Sequence, residues 1–220
     1  QLFCDDSAQQ IIDMLLDECK AAGAELRLNT KVLSIEASGD GYLIDLGNTQ
    51  IQCRSVVIAT GGLSIPKIGA TCFGYDIARQ FGLKVTSVKP ALVPLTFQAA
   101  FLERCRKLSG LSVDAEVSYG KTTFREGLLF THRGLSGPSI LQISSYWDEG
   151  ETLKINLLPE MDASSWLMAR KTETPRQEVL TVLSENLPRR LASDILEEIG
   201  VSGRLADLPN KMLARLGERL

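Results

Sequence analysis

The chain has one histidine, His132, among 220 residues. A structural zinc site needs several clustered ligands, so none is expected, and no metal-ligand spacing stands out. The five cysteines, at positions 4, 19, 53, 72 and 105, form no C-x-x-C pair and are odd in number. That argues against a disulfide framework and suits a reducing, cytoplasmic compartment. No apolar run is long enough to span a bilayer and no signal peptide is recognisable, so no membrane association is expected. Positive charge is not in excess. The net charge is −3, and the basic residues are scattered apart from Arg189-Arg190, which suit a solvated helix face. No general attraction for nucleic acid is therefore expected. There is no Ser-His-Asp constellation, no internal repeat and no low-complexity segment.

A glycine-rich phosphate turn is missing too. Gly39-Asp40-Gly41 is followed three residues on by Ile44 and sits in a hairpin pattern. Gly69 to Gly74 has the Walker spacing between glycines, but Tyr75-Asp76 follows, so the phosphate-binding lysine is absent.

What is present is Val56-Val57-Ile58-Ala59-Thr60-Gly61-Gly62. Three large apolar residues predict a strand buried on both faces. It runs into small residues that let a ligand approach the backbone. In open parallel sheets, ligands bind beyond the carboxyl ends of strands. Upstream, Ile11, Ile12, Leu15, Leu16 and Cys19 recur at helical spacing within Ser7 to Ala22. Ser7 with Gln10 resembles a capping box, and Gly23 can end the helix. Asp5-Asp6 suit first-turn acids better than a general acid pair. Ala24 to Leu28 predicts a short strand. A three-strand meander follows, near 31–37, 42–46 and 49–54, with turns at Ser38–Gly41 and Gly47-Asn48.

This order resembles the FAD domain of flavoproteins of the glutathione-reductase type, whose parallel sheet contains such a meander before a strand ending in Ala-Thr-Gly. The blocks Gly62-Leu63-Ser64-Ile65-Pro66-Lys67-Ile68-Gly69-Ala70-Thr71, Phe73-Gly74-Tyr75-Asp76-Ile77-Ala78 and Leu129-Phe130-Thr131-His132-Arg133-Gly134-Leu135-Ser136-Gly137-Pro138 are similar to the YhiN/BaiN-like family of NAD(P)/FAD-dependent oxidoreductases. The resemblance implies a mixed α/β fold in three parts. Residues 1–88 would be the middle of a Rossmann-like FAD domain, 89–160 an inserted β-barrel-like domain, and 161–220 a helical segment. Both glycine-rich FAD segments of the family are absent, which is expected of an internal stretch of a longer flavoprotein, inactive by itself. A natural chain that has lost its cofactor is the alternative.

The resemblance implies that Ala59, Thr60, Gly61 and Gly62 pass near the ADP half of FAD. It implies that Val32 holds adenine through its backbone, and that Gly69, Ala70 and Thr71 lie near the flavin. His132 can move a proton near neutral pH, and Arg133 can bind a carboxylate or stabilise a reduced flavin. Gly134 to Pro138 suggests a tight loop entering a helix, its N–H groups open to an anion. Alternatively His132 is structural and the loop docks the inserted domain. The expected activity passes a hydride from NADH or NADPH through FAD to a small organic acceptor, such as an activated carbon–carbon double bond. Two other readings stay open. A flavoprotein that modifies tRNA is disfavoured by the acidic balance. The other is a non-catalytic module that binds a partner or ligand.

Overall fold

The structure, a computed structural model, describes Cys4 and residues 7–97 and 99–220; Asp5 and Asp6 lie outside the described residues. The fold is mixed α/β and divides into two compact units, Gln1–Thr86 and Ser87–Leu220.

In the first unit, α1 (Gln9–Ala21) begins where the Ser7 hydroxyl accepts the Gln9 N–H at 3.1 Å. It ends at Gly23, with φ +72°. The meander follows as β1 (Ser34–Ser38), β2 (Gly41–Asp45) and β3 (Gln50–Cys53), paired antiparallel in that order. Close pairing forces glycine at position 41, where a Cβ would land on the Cys53 carbonyl. Helix α2 (Phe73–Gln80) packs on the meander. The Gln80 side-chain amide donates to the Ile35 carbonyl at 2.6 Å, and Tyr42 meets Phe81 edge-on at 5.7 Å. Ile77 is its buried anchor.

Two expected strands are not formed. Residues 24–28 and 56–58 are irregular, and no parallel pair occurs among the described residues. A strand needs a neighbour to take its backbone hydrogen bonds, and neither segment has one here. Val57, expected in the core, is 86% exposed. Leu26 and Leu28 are exposed as well.

The second unit is built on one antiparallel sheet. Its strands, in chain order, are β4 (Leu95–Thr96), β5 (Ser112–Tyr119), β6 (Thr122–Thr131), β7 (Gly134–Ser136) and β8 (Lys154–Asn156). They lie in the order β4-β7-β6-β5-β8, an open half-barrel with very short edge strands. Strand β6 runs unbroken through Gly127, because β5 pairs with it from Thr122 to Leu129. Helix α3 (Ala99–Lys107) was not expected in this β-rich stretch. The other helices are α4 (Pro138–Ser144), α5 (Ala163–Glu173), α6 (Val179–Leu183), α7 (Arg189–Ile199) and α8 (Asn210–Arg219). Asp162 caps α5, accepting the Ser164 and Ser165 N–H groups. Sheet and helices share one core in which Leu128, Ile140, Leu167, Leu183, Ile195 and Leu213 are fully buried. No helix among the described residues is long and apolar enough to cross a membrane.

An ion network ties three helices at the rim of this core. Arg104 of α3 pairs with Asp194 and Glu198 of α7, and Glu198 also pairs with Arg219 of α8. Burial alone would raise the Glu198 pKa. The hydrogen bond from Arg219 and the charges of Arg104 and Arg219 outweigh it, and the pKa falls below the ordinary carboxylate value. A depressed carboxylate pKa adds stability above the unfolded-state pKa of about 4.3, and that stability is lost as pH falls through the folded-state value. Glu198→Gln should therefore lower the melting temperature at pH 7, with the gap closing below about pH 4. A gap independent of pH would exclude the ionic contribution.

Candidate functional site

Backbone without partners marks the site in the first unit. Residues 55–62 make no backbone hydrogen bond among the described residues, and their polar groups are open. Thr60, Gly61 and Gly62 are exposed, and Gly61 has φ +71°. Nothing lies within 4 Å of where a Gly61 Cβ would stand. That is an open, left-handed turn with free amides, which fits the approach of a nucleotide.

The Ala59–Gly62 segment lies against the first turn of α2. A Cβ on Gly74 would stand 2.6 Å from the Thr60 hydroxyl, and one on Gly62 would stand 3.4 Å from the Tyr75 hydroxyl. The same turn is entered from Gly69-Ala70-Thr71. The Gly69 N–H donates to the Pro66 carbonyl at 3.1 Å and its φ is +97°. The Thr71 hydroxyl accepts the Phe73 N–H at 3.3 Å. The structure thus brings Ala59–Gly62 and Gly69–Thr71 to one end of α2. Gly74 and Tyr75 of α2 are the residues that lie against the first segment. The small residue directly after Phe73 was the available signal.

Val32 stands two residues before β1 and is half-buried. Leu33 already belongs to the hydrogen-bond ladder, its N–H donating to Asp45 at 2.8 Å. The Val32 amide and carbonyl have no partner among the described residues, as a backbone contact to a purine edge would require. An apolar groove of about 460 Å³ lies between the meander and α2, lined by Ile35, Tyr42, Val56, Ile58, Ile77 and Phe81 among others.

His132 and Arg133 are the two tip residues of the β6–β7 hairpin in the second unit, and both are exposed. Their backbone is fixed on either side. Thr131 pairs with Gly134, and the Thr131 hydroxyl donates to the Gly134 carbonyl at 3.0 Å and accepts the Arg133 N–H at 3.2 Å. Gly134 has φ +142°, and a Cβ there would land on the Leu95 carbonyl across the β4–β7 pair. Neither the His132 imidazole nor the Arg133 guanidinium has a hydrogen-bond partner among the described residues. The expectation of a loop with open amides at Gly134–Pro138 needs correction. Gly134–Ser136 is strand β7, paired with β4 and β6, because the ladder satisfies backbone groups that are buried at Gly134 and Leu135. Only α4 follows as expected. The residues of the two groups lie in separate compact units. Among the described residues no group of three His, Cys, Asp or Glu side chains could hold a metal.

Comparison with known proteins identifies the lineage. The family model described as "HI0933-like protein barrel and H2TH domain" matches residues 89–220. A ribosomal RNA dihydrouridine synthase of Escherichia coli (strain K12) is 46% identical over 97% of this chain and 52% of its own length. A protein of the same name from Haemophilus influenzae is 40% identical over 90% of this chain and 50% of its own. A 3-dehydro-bile acid delta(4,6)-reductase of Clostridium scindens is 27% identical over 87% of this chain and 50% of its own. The chain spans about half the length of the curated relatives it matches. It belongs to the HI0933-like family of flavoproteins.

Proposed function

We propose that the full-length protein is an FAD-dependent reductase that saturates the ring double bond of uridine in ribosomal RNA. The observation that carries this reading is the 46% identity, over almost the whole chain, to a relative named for that product. The relative named as a bile-acid reductase supports the broader chemistry. Both names describe a carbon–carbon double bond conjugated to a carbonyl. This reading gives up the expectation, drawn from net charge, that no nucleic acid is bound. A small organic acceptor remains the second reading, favoured by the bile-acid relative.

Saturation places a hydride on one carbon and a proton on its neighbour. When bound, FAD supplies the hydride, taken from NADH or NADPH. In this reading Ala59, Thr60, Gly61 and Gly62 offer open backbone to the ADP half, the Val32 amide and carbonyl hold adenine, and Gly69, Ala70 and Thr71 flank the flavin. His132 supplies the proton, and Arg133 supplies fixed positive charge against the reduced cofactor.

The test is full-length protein, NADPH and unmodified ribosomal RNA, followed by nucleoside mass spectrometry. A gain of two hydrogens on uridine is expected. Reduction of small enones with no change in RNA would overturn the substrate and keep the chemistry. A second expectation concerns the cofactor. Gly61→Val should weaken FAD binding more than it weakens folding, because the branched side chain would fill the open turn and resist positive φ. Flavin affinity and apo-protein melting separate the two effects. Loss of stability alone would make Gly61 a structural turn.

A further inference from the structure

An aromatic ring stands beside the tip of the β6–β7 hairpin. The β4–β7 ladder ends where Thr96 pairs with Gly134. The same register, continued by one position, sets Phe97 opposite Arg133. A Cβ on Gly134 would stand 3.1 Å from Phe97 Cδ2, so the ring occupies the space that a side chain at 134 would take. Phe101 of α3 meets that ring edge-on, with centroids 4.6 Å apart and planes at 66°. Both rings pack against the core, yet Phe97 is only half-buried. Part of a large apolar surface is thus left in water, where it contributes nothing to folding. Gly134 and Phe101 hold the ring from two sides. Its open part lies by the turn that carries His132 and Arg133, whose side chains make no hydrogen bond among the described residues.

We propose that Phe97 stacks on the uracil ring of the acceptor nucleotide and holds it beside His132, a proposal that rests on the uridine-reductase reading. A planar ring that takes a hydride on one face has its other face free for an aromatic partner. Stacking of this kind needs no charge on the protein, so the net charge of −3 does not oppose it. It requires a base that is out of its helical stack, so the acceptor uridine is unpaired or extruded when bound. It also sets a specificity. A planar pyrimidine gains the contact, whereas a puckered alicyclic enone has no extended π face to offer.

The experiment uses the full-length, flavin-loaded protein and unmodified, deproteinised ribosomal RNA. Phe97→Leu keeps an apolar side chain against Gly134 but removes the π face, and Phe97→Tyr keeps both. For each variant, kcat and KM on RNA, flavin reduction by NADPH and the melting temperature are measured. Phe97→Leu should lower kcat/KM by about 5–100-fold, the range expected for loss of one base–aromatic stack. The loss should fall mainly on KM, because the stack forms before the hydride moves and persists through the transfer. Phe97→Tyr should keep the rate of the unaltered protein. Flavin reduction by NADPH, which does not involve the RNA, should be the same in all three. If the unaltered protein leaves RNA unreduced, the uridine reading fails, and the stacking proposal with it. If it reduces RNA while Phe97→Leu keeps its KM and kcat/KM, the stacking assignment alone is overturned. Equal losses in the leucine and tyrosine variants, with a clear fall in melting temperature, would make Phe97 a support of the hairpin and overturn it as well.

Discussion

His132→Gln in the full-length protein is expected to leave FAD bound and slow the half-reaction with the acceptor by roughly 10²–10⁴-fold, the usual range for lost general acid catalysis. Glutamine keeps hydrogen-bonding capacity but cannot exchange a proton near neutral pH. Flavin reduction by the nicotinamide should change far less, because that step transfers a hydride between cofactors and needs no side-chain acid. Stopped-flow measurement of the two half-reactions separates these outcomes. The imidazole is exposed and makes no hydrogen bond among the described residues. The variant should therefore melt close to the unaltered protein. Unchanged acceptor turnover with a clear loss of stability would instead make His132 a docking residue.

Gly217→Ala should destabilise the protein, although helix propensity alone predicts the opposite. Alanine inside a helix is favoured over glycine by about 1 kcal/mol. A Cβ at position 217, however, would stand 2.6 Å from the Ser164 amide nitrogen and Cα. Those are backbone atoms of α5, and no rotamer change can clear them. Helices α5 and α8 would have to separate, disturbing Leu167, Leu213 and Leu216, all fully buried. Overpacking of this kind costs about 1–3 kcal/mol, and here the strain falls on two main chains, so the upper end is expected. Urea denaturation gives the sign directly. A gain in stability would show that the two helices yield at no cost.

The elements legible in the sequence were those whose instructions are local. Gly39-Asp40 and Gly47-Asn48 announced the meander turns, and each strand appeared within a few residues of its expected place. Pro138 marked the start of α4. The failures depended on neighbours. Residues 56–58 have a strand's composition but no pairing partner. Gly134–Ser136 has a loop's composition but pairs on both sides. Helix α3 was missed for another reason. Phe101, Cys105 and Leu108 recur at helical spacing and basic residues fill its last turn, but short β patterns on either side obscured that period. The candidate site was legible by type of residue. Its convergence at the end of α2 was not, because the contact of Gly74 with Thr60 joins positions that no local pattern links.

The β6–β7 hairpin separates two kinds of selection. Its geometry is written in main-chain pairing and in Thr131 and Gly134, whereas the side chains at 132 and 133 contribute no hydrogen bond to it among the described residues. Residues at the tip can be exchanged without renegotiating the sheet beneath them. If the tip delivers the proton as proposed, lineages can retune it for a new acceptor one substitution at a time, with the stable sheet inherited intact. Thr131 and Gly134 lack that freedom, since the Thr131 hydroxyl and the absence of a Cβ at 134 hold the backbone of the tip.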